Sequence, residues 1–310
     1  MQPLTNILNL NIEEYKKLFD GIEVIVTDCD GVLWVDNEPI PGSAEMINEF
    51  RNQGKKIIFL TNNSTKHREH FLIKLNRLGF IAEKQDIVSS ASIVVSFLKR
   101  KGFNKKVYLI GSTGLARELK DAGINHLEIG PDVIIHNNLY KTVDTFHADP
   151  EVGAVVVGFD EHFSYVKLLK AASYLNKQSC IFLATNKDER FPISSKIVVP
   201  GTGAIVKSIE TVSQKAAILL GKPSSYVVKT LVDDYGVQPM RCLIIGDNCK
   251  TDILMGSRSG LKTLLVLSGL TKLPEVEAWK NSSNRDDSEF VPDYYVAKLG
   301  DLVKFVKKVA

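Results

Sequence analysis

The run Val24-Ile25-Val26-Thr27-Asp28-Cys29-Asp30-Gly31-Val32 constrains this chain most, because an apolar stretch that reads as a buried strand stops abruptly on two carboxylates and a glycine. Near-continuous Val/Ile/Leu runs mark parallel strands covered on both faces, and ligands of such sheets bind at the carboxyl ends of the strands. Asp28 and Asp30 therefore belong on that edge. Residues two apart in an extended chain face the same way, so the two carboxylates can converge on one ligand while Cys29 points elsewhere. Converging carboxylates repel unless a cation or a proton stands between them. The pair points to Mg²⁺ and phosphate chemistry, in which one carboxylate attacks phosphorus and the other handles protons. An Asp-x-Asp-Gly turn at a strand end would look the same locally, since Asp and Gly are favoured turn residues.

The 310 residues, 44% of them hydrophobic, can fill one large core or two of ordinary size. A net charge of +3 with scattered Lys and Arg offers no basic stripe, so nothing points to nucleic acid or an anionic membrane. No apolar run approaches the roughly 20 residues that a spanning helix needs. Residues 1–20 lack a signal-peptide core, so the expectation is a cytosolic protein with a small-molecule partner. Cys29, Cys180, Cys242 and Cys249 show no CxxC spacing and predict reduced thiols. His67 and His70 lie one helical turn apart with no third ligand near in sequence, which predicts a solvated helix face.

In chain order, a helix over 12–19 precedes the first strand, and apolar residues flank the turn pair Asp36-Asn37 between Val32 and Pro41, as in a hairpin lid. A helix from Ser43 to before Gly54 leads to the strand 55–60, which ends on Thr61-Asn62-Asn63-Ser64, a βαβ unit with Ser64 as the cap of a helix running to about Leu78. The pattern then restarts with helices near 91–101, 115–122 and 165–175 and strands at 107–110, 154–157 and 180–184. This is a second α/β layer. Its polar loop Thr185-Asn186-Lys187-Asp188-Glu189-Arg190-Phe191-Pro192 sits at a strand end, a normal position for ligand contacts, with Arg190 a candidate partner for a substrate carboxylate. Pro200-Gly201-Thr202-Gly203-Ala204 opens a helix to about Thr211, and Gly221-Lys222-Pro223-Ser224 opens another. The strand 242–245 ends on Gly246-Asp247, with Asp252 just beyond. A strand at 262–267, a polar surface loop at 280–288 and a helix over 299–309 complete the chain.

Four groups thus converge on one sheet edge: Asp28 with Asp30, Thr61 with Asn62, Lys222, and Asp247 with Asp252. Phosphoryl transfer needs an in-line nucleophile, neutralisation of charge on the equatorial oxygens and a metal bridging protein and phosphate. Asp28 can be nucleophile and metal ligand, Asp30 acid and then base, and Asp247 a further metal ligand. Asp252 would hold metal-bound water or Lys222, Thr61 and Asn62 would hydrogen-bond phosphoryl oxygens, and Lys222 would supply positive charge.

With Asp28-Cys29-Asp30-Gly31-Val32, Thr61-Asn62, Lys222 and Gly246-Asp247 to Asp252 in that order, the chain resembles the haloacid dehalogenase superfamily of aspartate-nucleophile phosphatases. The long insertion, with Leu60-Thr61-Asn62-Asn63-Ser64, Ala184-Thr185-Asn186 and Gly221-Lys222-Pro223-Ser224, is similar to the subgroup with a large α/β cap, which holds phosphoglycolate, pyridoxal and 4-nitrophenyl phosphatases and NagD-like enzymes. The resemblance implies a Rossmann-like parallel-sheet core over 1–88 and 204–310 and an inserted α/β cap over 89–203. It further implies a Mg²⁺ requirement with the Asp30 backbone carbonyl as a further ligand, phosphate or substrate contacts from Asn63, Asn186 and Arg190, an aspartyl-phosphate intermediate, and a homodimer formed through the cap. Expected substrates are small phosphorylated metabolites of the 2-phosphoglycolate or glycerol phosphate type, with aryl phosphates such as 4-nitrophenyl phosphate also accepted, and pyridoxal phosphate or phosphoproteins as alternatives. A receiver-type phospho-acceptor shares the Asp, Thr and Lys but is one compact unit and lacks a proton-handling residue like Asp30. A non-catalytic phosphometabolite-binding regulator would be expected to have lost one of the two aspartates.

Overall fold

In the computed structural model, which describes residues 4–134, 138–191 and 196–305, Val24–Thr27 is a strand buried at every position. The chain reaches it through β1 (Thr5–Asn6) and α1 (Ile12–Asp20), and the strand itself is β2. A hairpin of β3 (Trp34–Val35) and β4 (Glu38–Pro39) follows, then α2 (Ser43–Asn52), β5 (Lys56–Thr61), α3 (Arg68–Arg77) and β6 (Ile87–Ser89). The middle of the chain forms α4 (Ser90–Arg100), β7 (Lys106–Ile110), α5 (Thr113–Asp121), α6 (Leu139–Thr145), β8 (Val152–Val157), α7 (Tyr165–Leu175), β9 (Ile181–Ala184), α8 (Thr202–Ser213) and β10 (Ile218–Leu219). It closes with α9 (Ser225–Tyr235), β11 (Cys242–Gly246), α10 (Leu254–Ser259), β12 (Lys262–Val266), α11 (Leu273–Lys280) and β13 (Tyr294–Val296).

The chain divides into two compact units, one of Met1–Thr61, Phe71–Val88 and Lys222–Ala310, the other of Asn62–His70 and Ser89–Gly221. The first is built on a seven-stranded sheet in the order β1-β13-β12-β11-β2-β5-β6. β2 pairs in parallel with β11 on one side and β5 on the other, so it lies where the strand order reverses. Open parallel sheets bind ligands at that point. Ile25, Ile57, Phe59, Leu243 and Ile245 share one core with Trp34, Phe50, Leu75 and Phe80. Burying side chains of this size contributes about 1.5–3 kcal/mol each, and the parallel pairing of β2 with β11 and β5 sets the register of the strand ends. The hairpin is present with its two-residue turn, in which Asp36 adopts a φ of 50°.

The second unit carries a parallel sheet in the order β10-β9-β8-β7 over a core that includes Tyr108, Val155, Phe182 and Ala171. The boundary expected at 203 falls instead at Gly221. α8 inserts Ile205, Val206 and Ile209 into this core, and β10 pairs with β9. A helix joins whichever sheet its apolar stripe fits, and the Gly-rich opening at 201–203 carries no signal of that choice.

Two local expectations need correcting. Helix α3 begins at Arg68, so Ser64 does not cap it, and His67 precedes the helix rather than lying on its face. His67 is buried, with Nε2 3.0 Å from Asp121 Oδ2 and 3.4 Å from Glu118 Oε1, whereas His70 is exposed. Glu118, 2% exposed, also accepts from the Arg68 amide at 3.0 Å and pairs with the Arg68 guanidinium at 3.0 Å, fastening 62–70 to α5. Glu118→Gln keeps the shape and loses the charge. It is expected to lower unfolding stability by about 1.5–3 kcal/mol in urea titration, the range for a hydrogen-bonded buried charge. A change under about 0.5 kcal/mol, the scatter of ordinary surface substitutions, would remove this role.

At the C-terminus the expected helix is a 3-10 turn at Leu299–Leu302 followed by helical residues 303–305, and 306–309 lie outside the described residues. The expected loop at 280–288 is replaced from Arg285 by a 3-10 segment, Arg285–Phe290. No helix among the described residues is long and apolar enough to cross a membrane.

Candidate active site

Thr27 is in register with Ile245, and the Asp28 amide donates to the Ile245 carbonyl at 2.8 Å. Asp28 and Gly246-Asp247 therefore leave neighbouring strands at one level. Lys222, just ahead of α9 and its N-cap Ser224, reaches the same edge, with Nζ 2.8 Å from Asp28 Oδ1 and 2.7 Å from Asp252 Oδ1. Asp252 is delivered by a π-helical turn, Cys249–Ile253, whose cap Asn248 accepts from the Lys250 amide at 2.9 Å. Carboxylate oxygens of Asp28, Asp247 and Asp252 all lie within 4.8 Å of one another.

Exposure separates their tasks. The Asp252 side chain has 0% exposure and cannot reach a substrate, so it holds Lys222; Asp28 keeps 13% and can be reached. Burial pushes the Asp28 carboxyl upward, Lys222 opposes that, and Asp30 adds to it. Asp247 is driven well above the usual carboxylate range by burial and then by Asp28 and Asp252. Burial likewise pushes Asp252 up to about 6 against the pull of Lys222. Lys222 is held in its charged form, because its two carboxylate partners outweigh the burial that disfavours it. Three neighbouring carboxyls whose charged forms burial and mutual repulsion disfavour, against one ammonium, are a setting for a hard cation with oxygen ligands.

Asp247 is seated by a loop that sequence reasoning passed over. Its Oδ2 accepts from the Leu270 amide at 2.8 Å, and its carbonyl accepts from the Thr271 amide at 2.9 Å. Gly31, with a φ of 81°, and Gly269 both lie against this carboxylate, and a Cβ on either would run into it. Ser268 Oγ donates to the Gly31 carbonyl at 2.7 Å and ties the two loops together. The Ser-Gly pair directly after an apolar strand was the available signal.

Asp30 follows Asp28 as expected, and its Oδ1 accepts from the indole N–H of Trp34 at 2.8 Å. Thr61 ends β5, the other neighbour of β2, and is buried. The remaining predicted residues belong to the second unit. The Asn62 carboxamide donates to Asp188 at 3.3 Å, and the Asn62 backbone carbonyl accepts from Asn186 Nδ2 at 3.0 Å and Ser90 Oγ at 2.7 Å. Asn63 Oδ1 accepts from the Thr65 amide and hydroxyl at 2.8 and 2.7 Å, which makes it a turn former. Asn186 is buried and braces Asn62 and the Asp188 amide. Arg190 is exposed, and its backbone bridges Pro200; Pro192 at the end of that loop lies outside the described residues.

Family models described as haloacid dehalogenase-like hydrolase match residues 25–125 and 81–260, and a further HAD-hydrolase-like model matches 219–302. The chain is 36% identical over 304 residues to a glycerol-3-phosphate phosphatase of Rattus norvegicus, covering 96% of this chain and 94% of that one. The chain belongs to the haloacid dehalogenase-like hydrolases. It is also 35% identical over 295 residues to chloroplastic phosphoglycolate phosphatase 1A of Arabidopsis thaliana, covering 94% of this chain and 79% of that one. Among solved structures, the 4-nitrophenylphosphatase of Thermotoga maritima superposes with a TM-score of 0.74 at 27% identity, covering 93% of this chain and 98% of that one. These relatives of the hydrolase are phosphatases, and the chain is an enzyme of that class.

The thiols of this hydrolase are built to be inert. All four cysteines are free and buried. Burial pushes Cys29 well above its usual value, with Asp28 and Asp30 adding to the shift, and pushes Cys242 and Cys249 each up to about 12. Thiolate is the reactive form. Native protein is expected to give no fast-reacting thiol with Ellman's reagent and to keep its activity in peroxide. A rapid reaction accompanied by loss of turnover would contradict this.

Proposed function

We propose that the chain is a Mg²⁺-dependent phosphomonoesterase of small phosphorylated metabolites, of the glycerol phosphate or 2-phosphoglycolate type, acting through an aspartyl-phosphate on Asp28. The observation that carries the reading is Lys222 set between Asp28 and Asp252, with Asp247 beside them. A turn-forming Asp-x-Asp-Gly would not need a buried ammonium or two further carboxylates. The donor set fits Mg²⁺: it is all oxygen, and burial and mutual repulsion raise the carboxyls in it. Asp28, Asp247 and the Asp30 carbonyl would hold the ion, and when bound it draws charge from the phosphoryl oxygens.

The steps belong to the side chains. Asp28 attacks phosphorus and the bond to the leaving oxygen breaks, while Asp30 gives that oxygen its proton. Asp30 then takes a proton from water, the water attacks the phosphoryl group, and the bond to Asp28 breaks to release phosphate. Lys222 and hydrogen bonds from Thr61 and Asn62 offset the charge on the phosphoryl oxygens. Arg190 is the residue proposed to favour a carboxylated substrate, and a homodimer through the second unit is part of the same proposal.

A phosphate-release panel of glycerol-3-phosphate, 2-phosphoglycolate, pyridoxal phosphate, a phosphopeptide and 4-nitrophenyl phosphate, run with Mg²⁺ and with EDTA, tests this. Metal-dependent release is expected from the first two and from the aryl ester. Turnover confined to the phosphopeptide would move the substrate class, and no metal-dependent release from any member would end the reading.

A further inference from the structure

The mechanism above uses Asp30 but leaves unexplained the buried tryptophan bonded to it. Trp34 is 0% exposed, and its Nε1 donates to Asp30 Oδ1 at 2.8 Å. We infer that Trp34 is a positioning residue, whose indole N–H fixes the Asp30 carboxyl in the rotamer that presents its other oxygen for proton transfer. This rests on Asp30 being the acid and base of the proposed function.

The geometry that aims the N–H is fixed from several sides. After β2 the chain folds into a closed turn in which the Gly31 amide donates to the Trp34 carbonyl at 2.8 Å, and the amides of Leu33 and Trp34 donate to the Cys29 carbonyl at 2.8 and 3.3 Å. Trp34 is then held in register with Pro39 across the hairpin, and its ring meets Phe80 edge-on with centroids 6.3 Å apart. A ring so enclosed carries its donor at a fixed point, and a carboxyl bonded to it loses rotamer freedom before substrate arrives. The ammonium of Lys74 lies 4.2 Å from the indole centroid, where it donates to the Asp36 carbonyl at 2.6 Å. A cation over the ring face polarises the indole and makes its N–H a stronger donor. Phe at this position would keep an aromatic ring in the core but lacks that N–H and is smaller, so the N–H is isolated only by an isostere of the same size.

The test replaces Trp34 by 3-benzothienylalanine, a near-isostere with sulfur in place of N–H, alongside Trp34→Phe, and compares kcat/KM for glycerol-3-phosphate and 4-nitrophenyl phosphate. An alkyl leaving group needs the proton and an aryl one does not. The isostere is expected to lose about 10-fold or more on the alkyl ester and less than about 3-fold on the aryl ester, part of the 10²- to 10⁴-fold that proton transfer supplies. Its inhibition by inorganic phosphate should stay at the native value, and it should remain fully folded at the assay temperature even where the lost hydrogen bond lowers its thermal midpoint. Equal losses on both esters, or none on the alkyl ester, would overturn the inference. Asp30→Asn in the same assay separates the two levels. If it shows the alkyl-selective loss and the isostere does not, only the role of Trp34 fails. If Asp30→Asn loses both esters equally, the acid and base reading fails and the role of Trp34 falls with it.

Discussion

Asp28→Asn is expected to abolish turnover while leaving a folded protein that unfolds at or above the native midpoint in metal-free buffer. The amide cannot attack phosphorus, and losing the covalent route should cost at least about 10⁴-fold in kcat, or roughly 5.5 kcal/mol of barrier. The stability half follows from the balance at the site. Burial and Asp30 push the Asp28 carboxyl up more than Lys222 pulls it down, so its charge is a net liability to the fold. Removing that charge leaves Lys222 still paired with Asp252 at 2.7 Å. Activity within about tenfold of native would sink the nucleophile assignment. A large fall in midpoint would mean that the Asp28–Lys222 pair holds the fold together, contrary to the electrostatics described.

Lys222→Met should be damaging in both respects. The ammonium is 3% exposed and is the positive partner of Asp28 and Asp252 in a site that also holds Asp247. Stripping one member from a buried ion pair typically costs about 3–5 kcal/mol, and that range is expected here at pH 8. Without Lys222 the carboxyls of Asp28 and Asp252 rise further above their unfolded values. A carboxyl whose pKa is higher folded than unfolded adds stability as pH falls, because the folded state then binds the proton more tightly. The deficit of Lys222→Met relative to native should therefore shrink between pH 8 and pH 5, as read from urea midpoints. A deficit that stays constant or grows on acidification would contradict the clustering of charge at this site. Turnover should fall by about 10³-fold or more, the scale of losing a charge-stabilising donor to the transition state.

The first unit was legible where its signals were long. β2 and β11 are runs of four and five buried residues, and each is followed directly by a carboxylate of the candidate site, so both strand and site could be read together. The start of α2 at Ser43 and the capping of α9 by Ser224 agree with their positions in the sequence. β6 and β13 have three residues each and β1 has two, too few to show a period, and they exist because a sheet edge is there to pair with. α11 was passed over even though Pro274 stands in its first turn and Glu275 closes a capping box with Lys272.

In the site, the aspartates and Lys222 were readable because their chemistry demands those residue types. The seat of Asp247 was not, because it is made of the Leu270 amide and of space left by two glycines. Trp34 and His67 escaped for a related reason. Each is defined by what burial brings against it, the Asp30 carboxyl in one case and two carboxylates of α5 in the other. Asn186 could be placed at a strand end, but not seen to brace Asn62, since that contact spans 124 positions of sequence.

Trapping the phosphoenzyme tests the proposed division of labour between Asp28 and Asp30 most directly. Asp30→Asn retains the nucleophile and cannot activate water, and an aryl phosphate leaves without needing a proton. Acid-quenching that variant with 4-nitrophenyl phosphate and Mg²⁺, then mapping the modified peptide by mass spectrometry, should find phosphate accumulated on Asp28 and absent when Asp28→Asn is added. Phosphate on any other residue, or none on a variant that still binds the aryl ester, would contradict the account.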